Sequence, residues 1–549
     1  MIKWWISIVI FIFTLNVYGQ VSFESSNLPI IIIDTHGASI PDEPKVDADM
    51  GIIDNGPGQR NNVNDPFNDF NGKIGIELRG SSSQSFDKKS YSIELRDLQG
   101  NDTSISVLGM PKESDWVLHG PYSDKSLIRN FLTFKLGRDL GWYASRTRLC
   151  ELMINNDYKG LYVFMEKVKR DNKRIDISKL KDDEISGDDL TGGYIVKLDK
   201  FDGGNSGAGW ESPYPPPGKT KPEQVILFQF DYPKADKIVG QQKQYIEKFI
   251  TDFEETLMSP NFRDERTGYR AFIDENSFID YAIINELTRN IDAYRLSTFL
   301  HKDKDSKDGK MYIGPIWDYN LALGNANYCH GSHIEGWAWD FNNVCPDDFW
   351  LIPFWWERFR QDAQFIQKFK TRWVQLRQDQ YSTDNIMHYI DSIKLVLDEA
   401  QQRNFQRWDV LGKYIWPNNY VGNTYAEEVN YFKTWITDRL TWLDVNIPKL
   451  EIITALNESV EGTVIYPNPF DQSVRVRVQS TGGDNISIKI RDLMGREVIT
   501  FKAMGARDGK TELFWNGKNA SGQDMAGGIY LIHIFEGEKL IGKEKIIKY

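Results

Sequence analysis

The chain has 549 residues, too many for one ordinary core, which points to two to four domains at roughly 100–200 residues each. Its 66 basic and 78 acidic residues give a net charge of −12 with no dominant block, which excludes the basic face of a nucleic-acid binder. The 40% apolar and 13% aromatic content excludes extensive disorder, and three cysteines are too few for a disulfide scaffold.

In chain order, Lys3, the apolar run Trp4 to Leu15 and Val17-Tyr18-Gly19 before Gln20 read as a secretory signal peptide over residues 1–19. The apolar run is too short for an anchor, and no later stretch of about 20 apolar residues follows. A mature chain without a membrane span is therefore expected. Residues 20–70 form a lead segment with no assignment. Strand-like runs then appear at residues 73–78, 90–95 and 161–165, with a helical pattern from Ser126 to Leu140 between them. Further helical candidates are Ser277 to Asn290, Phe354 to Gln378 and Asn385 to Arg407. A strand-rich first lobe followed by a helix-rich second lobe is an α+β arrangement. From about Val464 the texture changes to short alternating runs, among them Val474 to Val478, Ile486 to Ile490 and Ile529 to Ile534. Period-two alternation with frequent turns predicts a small antiparallel β-sandwich.

Two resemblances follow from ordered motifs. Tyr466-Pro467-Asn468-Pro469-Phe470, Asp492 to Val498, Trp515 to Asn519 and Gly527-Gly528-Ile529-Tyr530 resemble the C-terminal sorting domain of the type IX (Por) secretion route. The resemblance implies export through the periplasm, by the type IX machinery, to the outer cell surface or the medium. In the centre, Leu78 to Ser83 with Lys88 to Tyr91, Asp115 to Leu118 with Asp124, and Leu127 to Asn130 come first. Ile154 to Tyr162 with Glu166, Gly192 to Asp199, Asn290-Ile291-Asp292 and Ile316 to Asn320 complete the series. These elements resemble the CotH family of atypical protein kinases. The implied fold is a two-lobed kinase-like domain at 71–450, a linker at 451–462, and an all-β immunoglobulin-like sandwich at 463–549.

Phosphoryl transfer needs a held nucleotide, a divalent metal and an oriented acceptor. Mg²⁺ prefers one or two carboxylates completed by phosphate oxygens and water. By resemblance Asp318 is the metal-binding aspartate, and Asp292 accepts a hydroxyl proton or holds metal. Asn320 stands where many relatives carry a second aspartate; as an amide it binds metal more weakly. Arg79, Lys88, Lys89 and Lys197 are candidate phosphate contacts, and Glu166 is the candidate ion-pair partner that positions one of them. Arg129 and Asn130 serve equally well as structural pins between lobes. The resemblance implies ATP and Mg²⁺ as cofactors and an unknown protein as phosphate acceptor; a catalytically inactive surface binding protein is the alternative.

Other motifs are weaker. Gly218-Lys219-Thr220 follows three prolines and lacks the first glycine of a phosphate-binding loop. Residues 303–309 imitate a calcium loop, but Gly314 stands where the bidentate glutamate belongs, so a hairpin tip is expected. Cys329, His330 and His333 suggest zinc but lack a fourth ligand. A Cys329–Cys345 disulfide is the alternative that an oxidising destination allows, with Cys150 buried and free.

Overall fold

The computed structural model describes the chain apart from residues 1–20, 201–207, 453–463, 467–469, 471, 480–485, 493–494, 504–509, 538 and 549. The signal peptide, most of the linker and parts of the sorting-domain motifs lie outside the described residues. Two compact units result, residues 1–451 and 452–549.

The first unit begins with a closed seven-stranded barrel. Its strands are Ile30–Asp34, Val46–Ile53, Phe70–Arg79, Ser90–Arg96, Asp115–His119, Thr147–Ile154 and Asp157–Glu166. The Ile30–Asp34 strand closes the ring by pairing in parallel with Thr147–Ile154, Ile30 opposite Glu151. Residues 20–70, set apart by sequence, thus supply two of the seven strands. The alternation of side chains along each strand sorts residues between two cores. Tyr162 and Phe164 point into the barrel with Ile74, Ile93 and Trp116. Leu161, Val163 and Met165 point the other way, into the core shared with the helices. Both faces of the 161–165 run are buried, so it reads as a continuous apolar stretch instead of an alternating one.

A five-stranded antiparallel sheet follows, in the order Gly209–Glu211, Leu227–Tyr232, Tyr194–Leu198, Thr298–Lys302 and Met311–Ile313. Residues 303–309 form the expected hairpin tip between its last two strands. At Gly192 an added Cβ would stand 2.0 Å from the backbone nitrogen of Lys304, so only glycine fits there.

The helices are Arg129–Asp139, Gly240–Met258, Glu275–Thr288, Trp355–Arg360, Ala363–Arg377, Thr383–Val396, Asp398–Arg407 and Tyr425–Asn446, besides shorter turns. The span Phe354 to Gln378 is broken at Asp362, whose side chain caps the second helix by accepting from Gln364 N–H. Asn385 to Arg407 is likewise two helices, parted at Leu397.

Glu275–Thr288 is the central helix. Asp274 caps it by accepting from Ser277 N–H at 2.7 Å, and only Asn276 on it escapes burial. It ends at Arg289 in the left-handed conformation, φ 44°. The Arg289 guanidinium donates to His330 O at 2.8 Å and Gly336 O at 2.6 Å. Behind it lies a fully buried pair. Arg439 donates to Glu286 O at 2.9 and 2.7 Å and to Gly336 O at 2.7 Å. The Glu286 carboxylate accepts from Tyr294 OH at 3.0 Å and from the N–H groups of Ala338 and Trp339 at 2.7 and 3.0 Å.

The second unit has two antiparallel sheets. One contains Val464–Tyr466, Val474–Gln479 and Lys510–Trp515; the other Glu497–Ala503, Ile486–Asp492, Gly528–Glu536 and Lys539–Lys548. Val474, Val476 and Val478 meet Ile486, Ile488, Ile490, Ile532 and Ile534 in one core, with Trp515 and Phe470 at its end. No helix among the described residues is long and apolar enough to cross a membrane.

Two stability predictions follow. Arg439→Met leaves the buried Glu286 carboxylate uncompensated and should cost about 3–5 kcal/mol in urea unfolding, against less than about 1 kcal/mol for Lys248→Ala in an exposed pair. Glu254 accepts from Ser212 Oγ at 2.7 Å and Trp355 Nε1 at 2.9 Å, and burial pushes it up to about 7. Its folded pKa exceeds its unfolded value, so the penalty is absent below the ordinary carboxylate range and grows as pH rises through about 7. Glu254→Gln should therefore stabilise the fold at pH 8 by up to about 3 kcal/mol and scarcely at pH 4, read from melts at both pH values.

Candidate functional site

The ends of five elements converge between the barrel and the five-stranded sheet. The barrel supplies Arg79 at the end of Phe70–Arg79 and His119 at the end of Asp115–His119. Asp199 follows Tyr194–Leu198, Asp292 lies in the turn after the central helix, and Asp318 follows Met311–Ile313.

Asp318 has φ 64°, a left-handed conformation that costs energy outside glycine and persists only where the surroundings enforce it. Here two carboxamides enforce it. Asn290 Nδ2 donates to Asp318 O at 3.4 Å, and Tyr319 N–H donates to Asn130 Oδ1 at 2.8 Å. Asn290 Oδ1 also accepts from Asp292 N–H at 3.2 Å, so one amide spans both acidic residues. The neighbouring Arg129 is buried. It pairs with Asp124 at 2.6 Å and donates to Ala322 O at 3.1 Å, tying the barrel side to the loop beyond Asp318. Arg129 and Asn130 act as pins between the two halves.

The Asp318 side chain touches solvent, yet protein surrounds it on most sides, as on the floor of a cleft. Desolvation by those walls, then the charge of Asp292, pushes its carboxyl up to about 6, against the pull of Arg79. Burial likewise raises Asp292, with Arg295 opposing. Arg295 lies 3.3 Å from Asp292 and 3.0 Å from Asp348, and fixes the orientation of the first carboxylate. The Tyr328 phenol is pushed up by burial and then by Asp292.

Facing the carboxylates, the Arg79 guanidinium lies over the Trp317 ring, 5.4 Å from its centroid, and donates to no acceptor among the described residues. Asp318 lies within its field. Lys197 pairs with Asp199 at 3.3 Å. The Asn320 carbonyl accepts from Asn325 Nδ2 at 2.7 Å, while its side-chain amide makes no hydrogen bond among the described residues.

Lys88 and Glu166 are placed differently from their expected roles. Lys88 is buried and donates to Pro121 O, Leu161 O and Asn404 Oδ1 at 3.2, 2.6 and 2.7 Å, so its three donor positions are taken. Lys89 is similarly spent on Gln84 O and Phe86 O. Glu166, wholly buried, accepts from Arg146 N–H at 2.9 Å and Arg146 Nη1 at 2.8 Å, with Arg174 3.6 Å away. Its partners are arginines that pin the barrel, instead of a phosphate-binding lysine.

Residues 313–316, which precede Trp317 and Asp318 in the chain, line a cavity of about 430 Å³ that Arg79, Asp292 and Asp318 do not line. Trp142, Tyr143, Tyr281, His301 and Tyr312 form its aromatic walls. His301 Nδ1 is 3.1 Å from Gly314 O, and its ring stacks on Tyr312 at 5.4 Å. Burial pushes His301 down to about 4, so the ring is neutral and Nε2 is left as an acceptor.

Sequence reasoning did not single out Asp199, Arg295, Tyr328 or His119. Asp199 gave the strongest available signal, a carboxylate just past an apolar strand as at Asp318. Cys329 and Cys345 form a disulfide with Cα atoms 5.5 Å apart, and Cys150 is buried and free. Residues 218–220 lie in a loop, where Thr220 N–H donates to Gln224 Oε1 at 2.7 Å.

Residues 76–443, about two thirds of the chain, match the family model described as CotH kinase protein. Residues 464–549 match the secretion system C-terminal sorting domain. No curated protein matches the chain. Among solved structures, the dimeric latent PorU of Porphyromonas gingivalis is 23% identical over 16% of this chain and 9% of its own, with a TM-score of 0.14. The flagellar hook-capping protein FlgD of Xanthomonas campestris is 23% identical over 16% of this chain and 67% of its own, with a TM-score of 0.13. The alkylpurine DNA glycosylase AlkC of Pseudomonas fluorescens is 9% identical over 35% of this chain and 54% of its own, with a TM-score of 0.12.

The contrast between the two cations is testable. Arg79→Met should weaken binding of inorganic pyrophosphate at least tenfold in calorimetry without altering the urea midpoint. Lys88→Met should leave that binding unchanged but destabilise the fold by about 2 kcal/mol or more, through the buried acceptors it strands.

Proposed function

Because the chain belongs to the CotH kinase protein family and carries a secretion system C-terminal sorting domain, we propose that it is an exported phosphotransferase acting on a protein hydroxyl, with ATP and Mg²⁺. The observation that carries this reading is the charge arrangement of the cleft. Burial raises both carboxyls, Asp292 and Asp318, and the charge of Asp292 raises Asp318 further. A guanidinium without a hydrogen-bond acceptor among the described residues, Arg79, lies within the field of Asp318. Carboxylates held above their ordinary range gain most from a divalent cation, and an unpaired arginine gains most from a phosphate.

The donor set fits these groups. Among the described residues no cluster of three or more His, Cys, Asp or Glu could cage a metal, and Mg²⁺ is suited by one or two carboxylates completed by phosphate and water. Asp318 would hold the cation, with the Asn320 amide as a weaker second ligand. Arg79 and Lys197 would hold phosphate oxygens. The aromatic cavity before Asp318 suits a nucleotide base, His301 Nε2 accepting from an exocyclic amine. When bound, Mg²⁺·ATP supplies the phosphoryl group and neutralises its developing charge. Asp292, oriented by Arg295, accepts the proton of the acceptor hydroxyl at its carboxylate. The sorting domain directs the chain by the type IX route, through the periplasm, to the cell surface or beyond.

A second reading, a kinase-like surface binding protein without transfer, is favoured by one observation, the uncharged Asn320 where a second carboxylate is expected.

Full-length protein with Mg²⁺·ATP and surface proteins as acceptors separates the readings. Asp318→Asn should abolish both metal-dependent ATP binding and transfer. Asp292→Asn should retain binding and lose transfer by about 10²–10⁴-fold. Metal-dependent binding should also weaken as pH falls below about 6, where Asp318 protonates. Transfer unchanged in Asp318→Asn overturns the proposal, and binding without transfer in the native chain selects the second reading.

A further inference from the structure

His119, at the barrel side of the cleft, has no role in the reading above. Its Nε2 lies 3.2 Å from Asn130 Nδ2. Which amide atom of Asn130 faces the ring is set by its other contact, because Oδ1 accepts Tyr319 N–H and must point there. An amide nitrogen can only donate, so Nε2 is the acceptor and the ring proton resides on Nδ1. The charged groups facing the ring are Arg79 and Lys88 on one side of the balance and Asp124 on the other. Burial, then Arg79, hold the ring neutral, near 4. The Nδ1–H group donates to no acceptor among the described residues, and neither does Arg79. Neither group is among the sealed, unpartnered polar atoms, so both keep access to solvent.

We propose that His119 is a fixed neutral donor that joins Arg79 in clamping the anionic oxygens of a phosphate-bearing ligand, with Asn130 as the positioning residue that sets its tautomer. This deepens the reading above, on which the identity of the ligand rests. One carboxamide thereby serves both sides of the cleft. It orients the donor of the barrel and, through Tyr319 N–H, the backbone next to Asp318.

The test uses full-length protein with ¹⁵N-labelled histidine and inorganic pyrophosphate as probe. His119 is identified among the seven histidines by the signal lost in His119→Gln. Its nitrogens should report Nδ1 protonated and Nε2 bare from pH 7.5 to 5.5, and pyrophosphate should shift Nδ1. His119→Ala should weaken pyrophosphate about tenfold. Asn130→Asp, whose carboxylate accepts from both neighbours, should move the proton to Nε2. A native ring protonated on Nε2, or ring signals unmoved by saturating pyrophosphate, overturns the proposal. If pyrophosphate shifts His119 while Mg²⁺·ATP fails to bind, the clamp stands and the nucleotide reading falls. If Mg²⁺·ATP binds and His119 stays unmoved, the reverse holds.

Discussion

Two carboxamides govern the site. Asn130 and Asn290 grip the two polar groups of the peptide bond that joins Asp318 to Tyr319, and so fix the backbone that carries the Asp318 carboxylate. Side-chain amides suit this task because each offers a donor and an acceptor in one rigid plane. Asn290 uses both to join Asp318 to Asp292; Asn130 uses both to join the Asp318 loop to the barrel. The result is an unbroken polar chain from His119 to Asp292 in which no link is itself charged. It can therefore join the segments that carry two carboxylates without neutralising either of them.

Farther from the cleft the fold uses full charges, buried and paired. Arg439 with Glu286, and Arg129 with Asp124, also donate to backbone carbonyls, Arg439 to those of Glu286 and Gly336 and Arg129 to that of Ala322. Paired buried ions are a weak source of net stability but a severe penalty on misarrangement, since a broken pair strands a charge. That is a reasonable way to hold irregular chain. Seven of the twelve described non-glycine residues with positive φ run from Arg289 to His330; Arg129 binds inside that stretch at Ala322, and Arg439 binds on either side of it at Glu286 and Gly336.

Much of this was legible in sequence, and the failures have physical causes. Helix Arg129–Asp139 and the central helix follow from spacing, while for Arg129 and Asn130 the sequence left pinning open as one of two roles. The surroundings of Lys88, in the loop before the Ser90–Arg96 strand, were not legible. One of its acceptors, Asn404, comes from over three hundred residues away, and no local pattern announces it. The partner of Glu166, Arg146, immediately precedes the neighbouring Thr147–Ile154 strand, a placement that only the strand pairing reveals. His119 was invisible because its significance rests on a tautomer, which a neighbour's orientation dictates. The two long helical spans were each broken by a local stop, Asp362 and Leu397, inside an otherwise continuous apolar period.

The parallel pairing of Ile30–Asp34 with Thr147–Ile154 bears on how the chain acquires its structure. The first strand to emerge has Val46–Ile53 as one neighbour, but its other flank stays bare until more than a hundred further residues have appeared. Contacts of such long sequence separation are slow to form, because the intervening loop must be closed before they yield any energy. Closure of the ring thus waits on the Thr147–Ile154 strand, and the barrel rim that carries Arg79 and His119 is incomplete until that strand is in place. For a chain that must be carried out of the cell, that delay keeps the functional half immature through the early part of its synthesis.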